Sequence, residues 1–187
     1  MKIYFHMNVD YFSNTYVVVN ELEKKAIIID PGKISLDIIN QLEDGNYTLS
    51  AVLITHNHKD STAGLSTLRK IYDVAVFAAD SEITGAATSV INGDGSIKIA
   101  GFNVGYFNLP GHSSDSMVYK IGNVLFTGDT IEAGRIGDTT SSYSKRILVM
   151  GIKEKILSQQ DGTFIMPGHG PMTSVGAEKI YNMDIVD

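Results

Sequence analysis

The sequence contains no cysteine among its 187 residues, and this absence excludes several kinds of site at once. A chain without thiols has no disulfide bonds, no thiolate nucleophile and no thiolate metal ligand. If the protein binds a metal, histidine and carboxylate side chains must supply the ligands.

Long apolar runs are also missing. No stretch approaches the roughly 18 apolar residues that a membrane-spanning helix needs. The N-terminal segment, residues 1–8, has too short an apolar run and too polar a continuation for a signal peptide. We therefore expect a cytoplasmic protein with no membrane partner.

Basic residues are outnumbered, with 15 Lys and Arg against 21 Asp and Glu and a net charge of −6. This balance disfavours nucleic acid as a partner, because binding phosphates needs a basic surface. The length fits a single domain over residues 1–187 with a sizeable core. We expect a small-molecule substrate, and the sequence carries no signal for an oligomeric state.

Strand and helix patterns alternate along the chain. Strands are predicted at 2–7, 15–19, 26–29, 49–55, 74–79, 97–99, 102–104, 117–119, 124–126 and 163–166. Helices are predicted at 34–42, 61–72, 144–160 and 174–181, with Leu65, Leu68 and Ile71 on one face of the second. Strands alternating with helices in two successive halves indicate two packed sheets with helices outside, an αββα four-layer sandwich of the α/β class.

Four of the five histidines lie in turns that directly follow predicted strands. The segments are Thr-His-Asn-His-Lys-Asp at 55–60, Pro-Gly-His at 110–112 and Pro-Gly-His-Gly at 167–170, with Gly-Asp-Thr at 128–130 between the last two. Loops at strand ends hold functional groups on a rigid scaffold, and neighbouring glycines let a metal approach closely. Imidazole and carboxylate suit zinc, and also iron or manganese. Together the motifs predict a metal centre and a hydrolytic enzyme.

Each motif taken alone has a simpler interpretation. A His-x-His pair such as His56 and His58 is more often polar surface or core than a ligand pair, and His112 or His169 would serve equally well as a turn-capping histidine. Asp129 would suit a plain turn, since Asp favours turns. Its position after a predicted strand and between two histidine motifs favours ligation.

Other polar residues have structural interpretations. Asp30 ends a predicted strand, where we favour a supporting role through backbone hydrogen bonds. His6 fits no ligand spacing and is assigned to surface or packing, and Ser61 suits a helix N-cap. Three residues after the metal motifs fit either contact with an anionic substrate or the start of a solvated helix: Tyr143, Lys145 and Arg146.

These motifs resemble the signature of the metallo-β-lactamase superfamily, which reads Thr-His-x-His-x-Asp-His, then a later histidine, a Gly-Asp and a final Gly-His. The resemblance covers nearly the whole chain, since Asp-Pro-Gly at 30–32 matches the strand-end Asp-x-Gly of that family. It implies that two metals are bound. His56, His58 and His112 would hold the first, Asp60 and His169 the second, and Asp129 would bridge both.

One position departs from the family signature. Ser61 follows Asp60 where glyoxalase II-like hydrolases have histidine. The second site would then keep Asp60, Asp129 and His169, and three protein ligands plus water still complete a catalytic zinc shell. We expect two zinc ions with a weaker second site, with one metal as the alternative count and iron or manganese as alternative metals.

The resemblance also implies a reaction. A bound metal lowers the pKa of water to about 7 and polarises the carbonyl under attack, and Asp60 is the expected catalytic residue that orients this water. Segments 108–116 and 128–137 resemble glyoxalase II and its shorter relatives. The chain ends about 18 residues after His169, without the C-terminal helical region that binds glutathione in glyoxalase II. We therefore expect a compact relative that hydrolyses a small thioester or a related ester or lactone.

Two other functions stay open at this point. An iron-dependent persulfide dioxygenase, a related group, would hold one iron through His56, His112 and Asp129, although nothing in the sequence indicates a sulfur substrate. A non-catalytic metal-binding module would keep the fold without turnover, but six of the seven ligand positions are present. A secreted β-lactamase is disfavoured because a signal peptide and a cysteine are missing.

Overall fold

The structure, a computed structural model, describes residues 1–84 and 88–186 of the chain. In this part of the chain two six-stranded sheets pack face to face, and helices cover both outer faces. The predicted αββα four-layer sandwich is confirmed.

The elements alternate along the chain much as the sequence patterns indicate. The first half contains β1 (Lys2–Asn8), β2 (Ser13–Asn20), β3 (Lys25–Ile29), α1 (Leu36–Asp44), β4 (Thr48–Leu53), α2 (Lys59–Thr62), α3 (Leu65–Ile71), β5 (Ala75–Ala78), α4 (Ser81–Thr84) and β6 (Thr88–Val90). The second half contains β7 (Gly95–Ile99), β8 (Phe102–Asn108), β9 (Met117–Ile121), β10 (Val124–Gly128), β11 (Ile131–Glu132), β12 (Arg135–Ile136), α5 (Ser142–Gly151), β13 (Phe164–Pro167), β14 (Thr173–Ser174) and α6 (Val175–Tyr181). A π-helical segment, Ile152–Ile156, continues α5.

The first sheet has the order β1-β2-β3-β4-β5-β6, antiparallel from β1 to β3 and parallel from β3 to β6. The second has the order β14-β13-β10-β9-β8-β7, in which β10 and β13 run parallel. Their carboxyl ends therefore lie side by side at one edge. Strands covered on both faces are apolar throughout, as the buried runs 17–19 and 27–29 illustrate.

Three apolar clusters join the four layers. The central cluster lies between the sheets and includes Tyr16, Leu53, Tyr119 and Phe126. The outer clusters pack Ile38, Leu42 and Leu68 against Ile28 and Val52 on one side, and Leu148, Ile152 and Ile156 against Leu125 and Ile165 on the other. Each fully buried side chain of this size contributes about 1.5–3 kcal/mol, so the two sheets hold the loops at their shared edge in a fixed relation.

The prediction of a single helix over residues 61–72 is wrong. The chain forms α2 and α3 instead, separated at Gly64, whose N–H donates to the Pro31 carbonyl at 2.8 Å. A Cβ at Gly64 would crowd the same carbonyl oxygen. Close contact with the turn after β3 thus ends one helix and starts the next.

Two details of this region also differ from prediction. Ile71 is 47% exposed, whereas Leu65 and Leu68 are buried. Each step of three residues falls 60° short of a full helical turn, so a second step carries Ile71 off the shared face. Ser61 is the third residue of α2 and not its N-cap, which is His58.

Elsewhere the differences are small. Helix α5 begins at Ser142, because the Ser141 hydroxyl accepts from the Ser144 N–H, and its π-helical continuation ends at Ile156. Strands β6, β11, β12 and β14 and helix α4 were not predicted, since elements of two to four residues are too short to show a period. No helix in the described residues is both long and apolar enough to cross a membrane.

Candidate metal centre

Six polar side chains converge where loops from the two sheets meet. His56, His58 and Asp60 follow β4, while His112, Asp129 and His169 follow β8, β10 and β13. They form two groups that share Asp129, and within each group the ligand atoms lie within 4.8 Å of one another: His56, His58, His112 and Asp129, then Asp60, Asp129 and His169. The structure brings together every residue for which metal ligation was predicted, and the ligation itself stays a prediction.

The nitrogen and oxygen atoms of the first group have the spacing of metal ligands. His58 Nδ1 lies 3.0 Å from His56 Nε2 and 3.2 Å from His112 Nε2. Asp129 Oδ2 lies 3.6 and 3.7 Å from the same two Nε2 atoms. Four ligands at about 2.0–2.1 Å around a tetrahedral ion are about 3.3 Å apart. The three imidazole rings are nearly perpendicular, at 74°, 76° and 87°, and the short nitrogen–nitrogen distances show that their nitrogen-bearing edges face one another.

A buried hydrogen-bond chain fixes the tautomer of His56. When Asp30 is ionised, the Thr55 hydroxyl donates to Asp30 Oδ2 at 2.8 Å and therefore accepts from His56 Nδ1–H, which lies 3.0 Å away. The Nε2 lone pair of His56 therefore faces the centre. Burial, with help from the neighbouring imidazoles His58 and His112, lowers the pKa of His56 to about 3. His56 is therefore neutral, the form that binds a metal.

His112 is oriented by a backbone carbonyl. Its Nδ1–H donates to the Asp138 carbonyl at 2.8 Å, which leaves the Nε2 lone pair directed at the centre. The residue before Asp138 must be a glycine. A Cβ at Gly137 would overlap the Asp129 carbonyl oxygen and lie 3.2 Å from His112 Nδ1. The loop after β12 thus packs directly against both ligands.

The second group is held as an ion pair. His169 donates through Nδ1 to the Phe12 carbonyl at 2.9 Å and through Nε2 to Asp60 Oδ2 at 2.9 Å. The bond to Asp60 raises the pKa of His169 to about 9, and the same bond holds the pKa of Asp60 below its ordinary value. A divalent ion bound by these two atoms would take the place of the Nε2 proton.

Unsatisfied buried oxygens support a metal at this place. Asp60 Oδ1 and Asp129 Oδ1 are buried and have no hydrogen-bond partner among the described residues, which is rare for buried polar atoms. Burial raises the pKa of Asp129 to about 6. A buried carboxylate is costly unless it is paired or coordinates a metal, and a set of imidazole and carboxylate ligands suits zinc, iron or manganese. The residues present therefore fit a divalent metal.

Asp30 supports the metal centre through hydrogen bonds to Thr55, the residue before His56. A supporting role is the one favoured from its position in the sequence. Its Oδ1 accepts from the Thr55 N–H and its Oδ2 from the Thr55 hydroxyl, both at 2.8 Å. Its φ is 50°, a left-handed conformation that Asp tolerates better than most residues. Burial raises the pKa of Asp30 to about 8, although both bonds from Thr55 act in the opposite direction.

Replacing Asp30 by alanine should lower the free energy of unfolding of the metal-free protein by about 2–4 kcal/mol, because two buried donors of Thr55 lose their acceptor. Asp30→Asn should cost less, since one oxygen remains and Asn tolerates positive φ. Urea unfolding of both variants measures this, with exposed Asp44→Ala as the control. A loss for Asp30→Ala no larger than that of the control would contradict the supporting role.

The remaining polar residues singled out in the sequence lie at varied places. His6 is half-buried and its Nε2 lies 2.7 Å from Gln41 Oε1 of α1, apart from the ligand groups. Tyr143 is 72% exposed beside His112. Lys145 donates to Asp184 at 2.6 Å, and with Arg146 it lines a separate hollow on the outer side of α5.

Sequence reasoning missed the residues that fix the His56–His58 turn. The Asn57 N–H donates to Asp115 Oδ2 and its side-chain amide donates to Asp80 Oδ2, both at 2.8 Å. The available signal was positional, since Asp80 follows β5 and Asp115 follows His112, both near the ends of predicted strands. These bonds clamp the turn between the two histidines from both sides.

Residues 9–178 match the sequence profile of the metallo-beta-lactamase superfamily. The chain is 28% identical over 193 residues to the probable metallo-hydrolase YqgX of Bacillus subtilis (strain 168), an alignment covering 91% of this chain and 90% of that protein. It is 31% identical over 128 residues to a hydroxyacylglutathione hydrolase of Yersinia pestis (strain Pestoides F), covering 67% of this chain and 51% of that protein.

Solved structures share the fold. The crystal structure of BLEG-1 B3 metallo-beta-lactamase superposes with a TM-score of 0.90 at 28% identity, covering 100% of both chains. The crystal structure of TTHA1623 in a di-iron-bound form superposes with a TM-score of 0.79 at 22% identity, covering 96% of this chain and 98% of that one. The second likeness concerns the fold alone.

Proposed function

The chain belongs to the metallo-beta-lactamase superfamily, and from that premise we propose that it is a hydrolase that uses two zinc ions to cleave a small thioester. The observation that carries the proposal is the position of Asp129. Its Oδ2 lies 3.6 Å from His56 Nε2 in the first group and 3.5 Å from His169 Nε2 in the second, so one oxygen faces both. Bound zinc ions would lower the pKa of an attacking water and polarise the carbonyl.

Within this chain, Asp60 is the residue to which we assign the catalytic role. Its Oδ2 lies 2.9 Å from His169 Nε2, and both atoms would face the second zinc ion. Its Oδ1 is buried and has no hydrogen-bond partner among the described residues. Asp60 Oδ1 is therefore available to accept a hydrogen bond from the attacking water and direct it at the substrate.

A groove beside His112 is suited to the substrate. It has a volume of about 360 Å³ and lies between segment 110–114 and the start of α5. Five of the nine residues that line it carry hydroxyl groups: Ser113, Ser114, Thr140, Tyr143 and Ser144. Lys145 forms a salt bridge with Asp184 and does not line the groove. No Lys or Arg side chain is among the described residues that line it, so a small neutral group that forms hydrogen bonds fits this groove better than an anionic group. We therefore favour a neutral substrate over the anionic one considered for Tyr143, Lys145 and Arg146.

Likeness to a hydroxyacylglutathione hydrolase supports a thioester as the substrate. A β-lactam is the second candidate, because the chain is similar over its whole length to a structure described as a B3 metallo-beta-lactamase. Both reactions begin with attack of water on a carbonyl, so the same centre would serve either one. They differ in the leaving group, a thiolate or an amine.

Metal analysis combined with metal removal tests the proposal. Protein purified without added metal should contain about two zinc ions per chain. Its hydrolysis of a small thioester should disappear on chelation and return with added zinc, because the water loses its activation with the metal. Faster hydrolysis of a β-lactam would favour the second candidate. About one iron per chain, with oxygen consumed in the presence of a persulfide, would overturn the hydrolase in favour of a dioxygenase. Bound metal without any turnover would indicate a binding module.

A further inference from the structure

One buried carboxylate, that of Glu178, lies outside the metal centre. Glu178 lies inside α6 and is 2% exposed. It accepts from the Thr173 hydroxyl and the Asn182 side-chain amide, both at 2.6 Å, and from the Gly134 N–H at 3.1 and 3.2 Å. No ion pair to Glu178 is formed within the described residues. Burying an unpaired carboxylate costs free energy that its hydrogen bonds must offset, so what those bonds hold in place is informative.

Glu178 holds the tip of the β11–β12 hairpin. Gly134 forms the turn of this hairpin with φ +83°, and its N–H reaches both carboxylate oxygens of Glu178. The Gly134 carbonyl in turn accepts from the Met183 N–H at 3.1 Å. Both backbone groups of the hairpin tip are thus bonded to the C-terminal segment.

A second carboxylate holds the return strand of the same hairpin. Asp184 Oδ2 accepts from the Ile136 N–H at 3.2 Å, and its Oδ1 accepts from Lys145 at 2.6 Å. Residues 178–184 therefore fix the hairpin at its tip and at the end of β12. A two-stranded ribbon of this length has little stability of its own, so its position is set by the burial of Ile131 and Ile136 together with these hydrogen bonds at its tip and end.

The hairpin leads directly into the metal centre. Ile136 is followed by Gly137, which donates to the Thr130 carbonyl at 3.3 Å, and then by Asp138, whose carbonyl accepts from His112 Nδ1. Asp129 lies two positions before the first residue of the hairpin, Ile131. A shift of the hairpin would therefore move the carbonyl that orients His112. Outer partners of this kind typically change metal affinity by about 10–100-fold.

We propose that Glu178 is a positioning residue of the metal centre, which sets the direction of His112 through the β11–β12 hairpin and the Asp138 carbonyl. The inference rests on the metal centre of the proposed function, and it does not depend on the substrate. Asp184 acts in the same direction from its more exposed position. Residues 178–184 are in this respect part of the metal centre, although none of them supplies a ligand atom.

A double-mutant cycle on zinc affinity tests the proposal. Glu178→Gln keeps the side-chain volume but sets an NH₂ group against donors, so zinc affinity, measured by competition with a chromophoric chelator, should fall about 10–100-fold. In a His112→Ala background the same substitution should change zinc affinity by less than about twofold, because the group through which it acts is gone. Exposed Glu154→Gln should change neither value.

Stability provides the contrasting measurement. A merely structural Glu178 would lower the unfolding free energy of the metal-free protein and leave zinc affinity as it is, or lower that affinity equally in both backgrounds. Either result overturns the proposal. Asp184→Ala, at a partly exposed side chain, repeats the cycle if Glu178→Gln fails to fold, with a smaller loss expected in the same direction. A wild-type chain that binds no zinc refutes the metal centre itself. Zinc binding without thioester turnover refutes only the substrate.

Discussion

Asp129→Ala should lower kcat/KM for thioester hydrolysis by more than about 10³-fold. Changes around metal ligands cost about 10–100-fold, and loss of an oxygen that faces both ligand groups should exceed that range. The structure gives this weight to Asp129 because its Oδ2 lies 3.5–3.7 Å from nitrogens of both groups. Steady-state kinetics and zinc content per chain measure the effect, and the zinc content should fall from about two to about one, because the first group keeps three imidazoles and the second keeps only two ligands.

Folding must be separated from metal binding in this variant. Burial raises the pKa of Asp129 from its ordinary value of 3.8 to about 6. Above pH 6 its ionised form therefore costs the metal-free fold stability, and alanine removes that cost. At pH 8 the metal-free variant should thus unfold at a temperature no lower than the metal-free wild type, whereas added zinc should raise the unfolding temperature of the variant less than that of the wild type.

The matched control for Asp129→Ala is Asp161→Ala. This aspartate is 74% exposed and pairs with Lys179 at the surface, where such pairs contribute little. It should retain wild-type zinc content and kinetics. An Asp129→Ala variant that still binds two zinc ions and turns over a thioester would refute the shared-ligand geometry.

The fold was predictable largely because its central strands are buried on both faces. Runs such as 27–29 and 124–126 are apolar without interruption, and each lies in a strand. The features that the sequence patterns did not predict are determined by contacts between residues far apart in the sequence. The break at Gly64 follows from the Pro31 carbonyl pressing against it, a contact that no window of local sequence contains.

For the metal centre, the sequence predicted the residues but not what orients them. All six candidate ligands follow strands, and their motifs mark them directly. The groups that fix the imidazole rings are mostly backbone carbonyls, those of Phe12 and Asp138, and any residue type supplies a carbonyl. Glu178 did leave a signal. It shares the buried face of α6 with Val175 and Asn182, at spacings of three and four, where an acid is unusual.

Ser61 stands where glyoxalase II-like hydrolases have a histidine, and this substitution concerns the number of ligands in the second group. Ser61 is buried within α2, and the ligand atoms of Asp60, Asp129 and His169 still lie within 4.8 Å of one another. Three protein ligands are the number that catalytic zinc sites use. The geometry therefore supports two metals, and the missing histidine accounts for the weaker second site expected from the sequence.

Gly168→Ala should weaken the centre without replacing any of its ligands. A Cβ at this position would overlap Asp129 Oδ1. The backbone cannot retreat easily, because the Gly168 N–H donates to the Gly128 carbonyl and its own carbonyl accepts from Asn14 N–H, both at 2.8 Å. We expect a loss of about 1–3 kcal/mol in unfolding free energy from overpacking, and a fall of about 10–100-fold in zinc affinity as the carboxylate is displaced.

Gly162→Ala is the matched control, since a Cβ there meets nothing within 4 Å. Restricting the unfolded chain at such a position stabilises a protein by about 0.4–1 kcal/mol. Gly168→Ala should therefore lower the urea midpoint of unfolding and Gly162→Ala should raise it. Only Gly168→Ala should change the zinc affinity measured by competition with a chelator. Equal zinc affinity in both variants would mean that Asp129 has room to move, and the close packing around its carboxylate would then not define the centre.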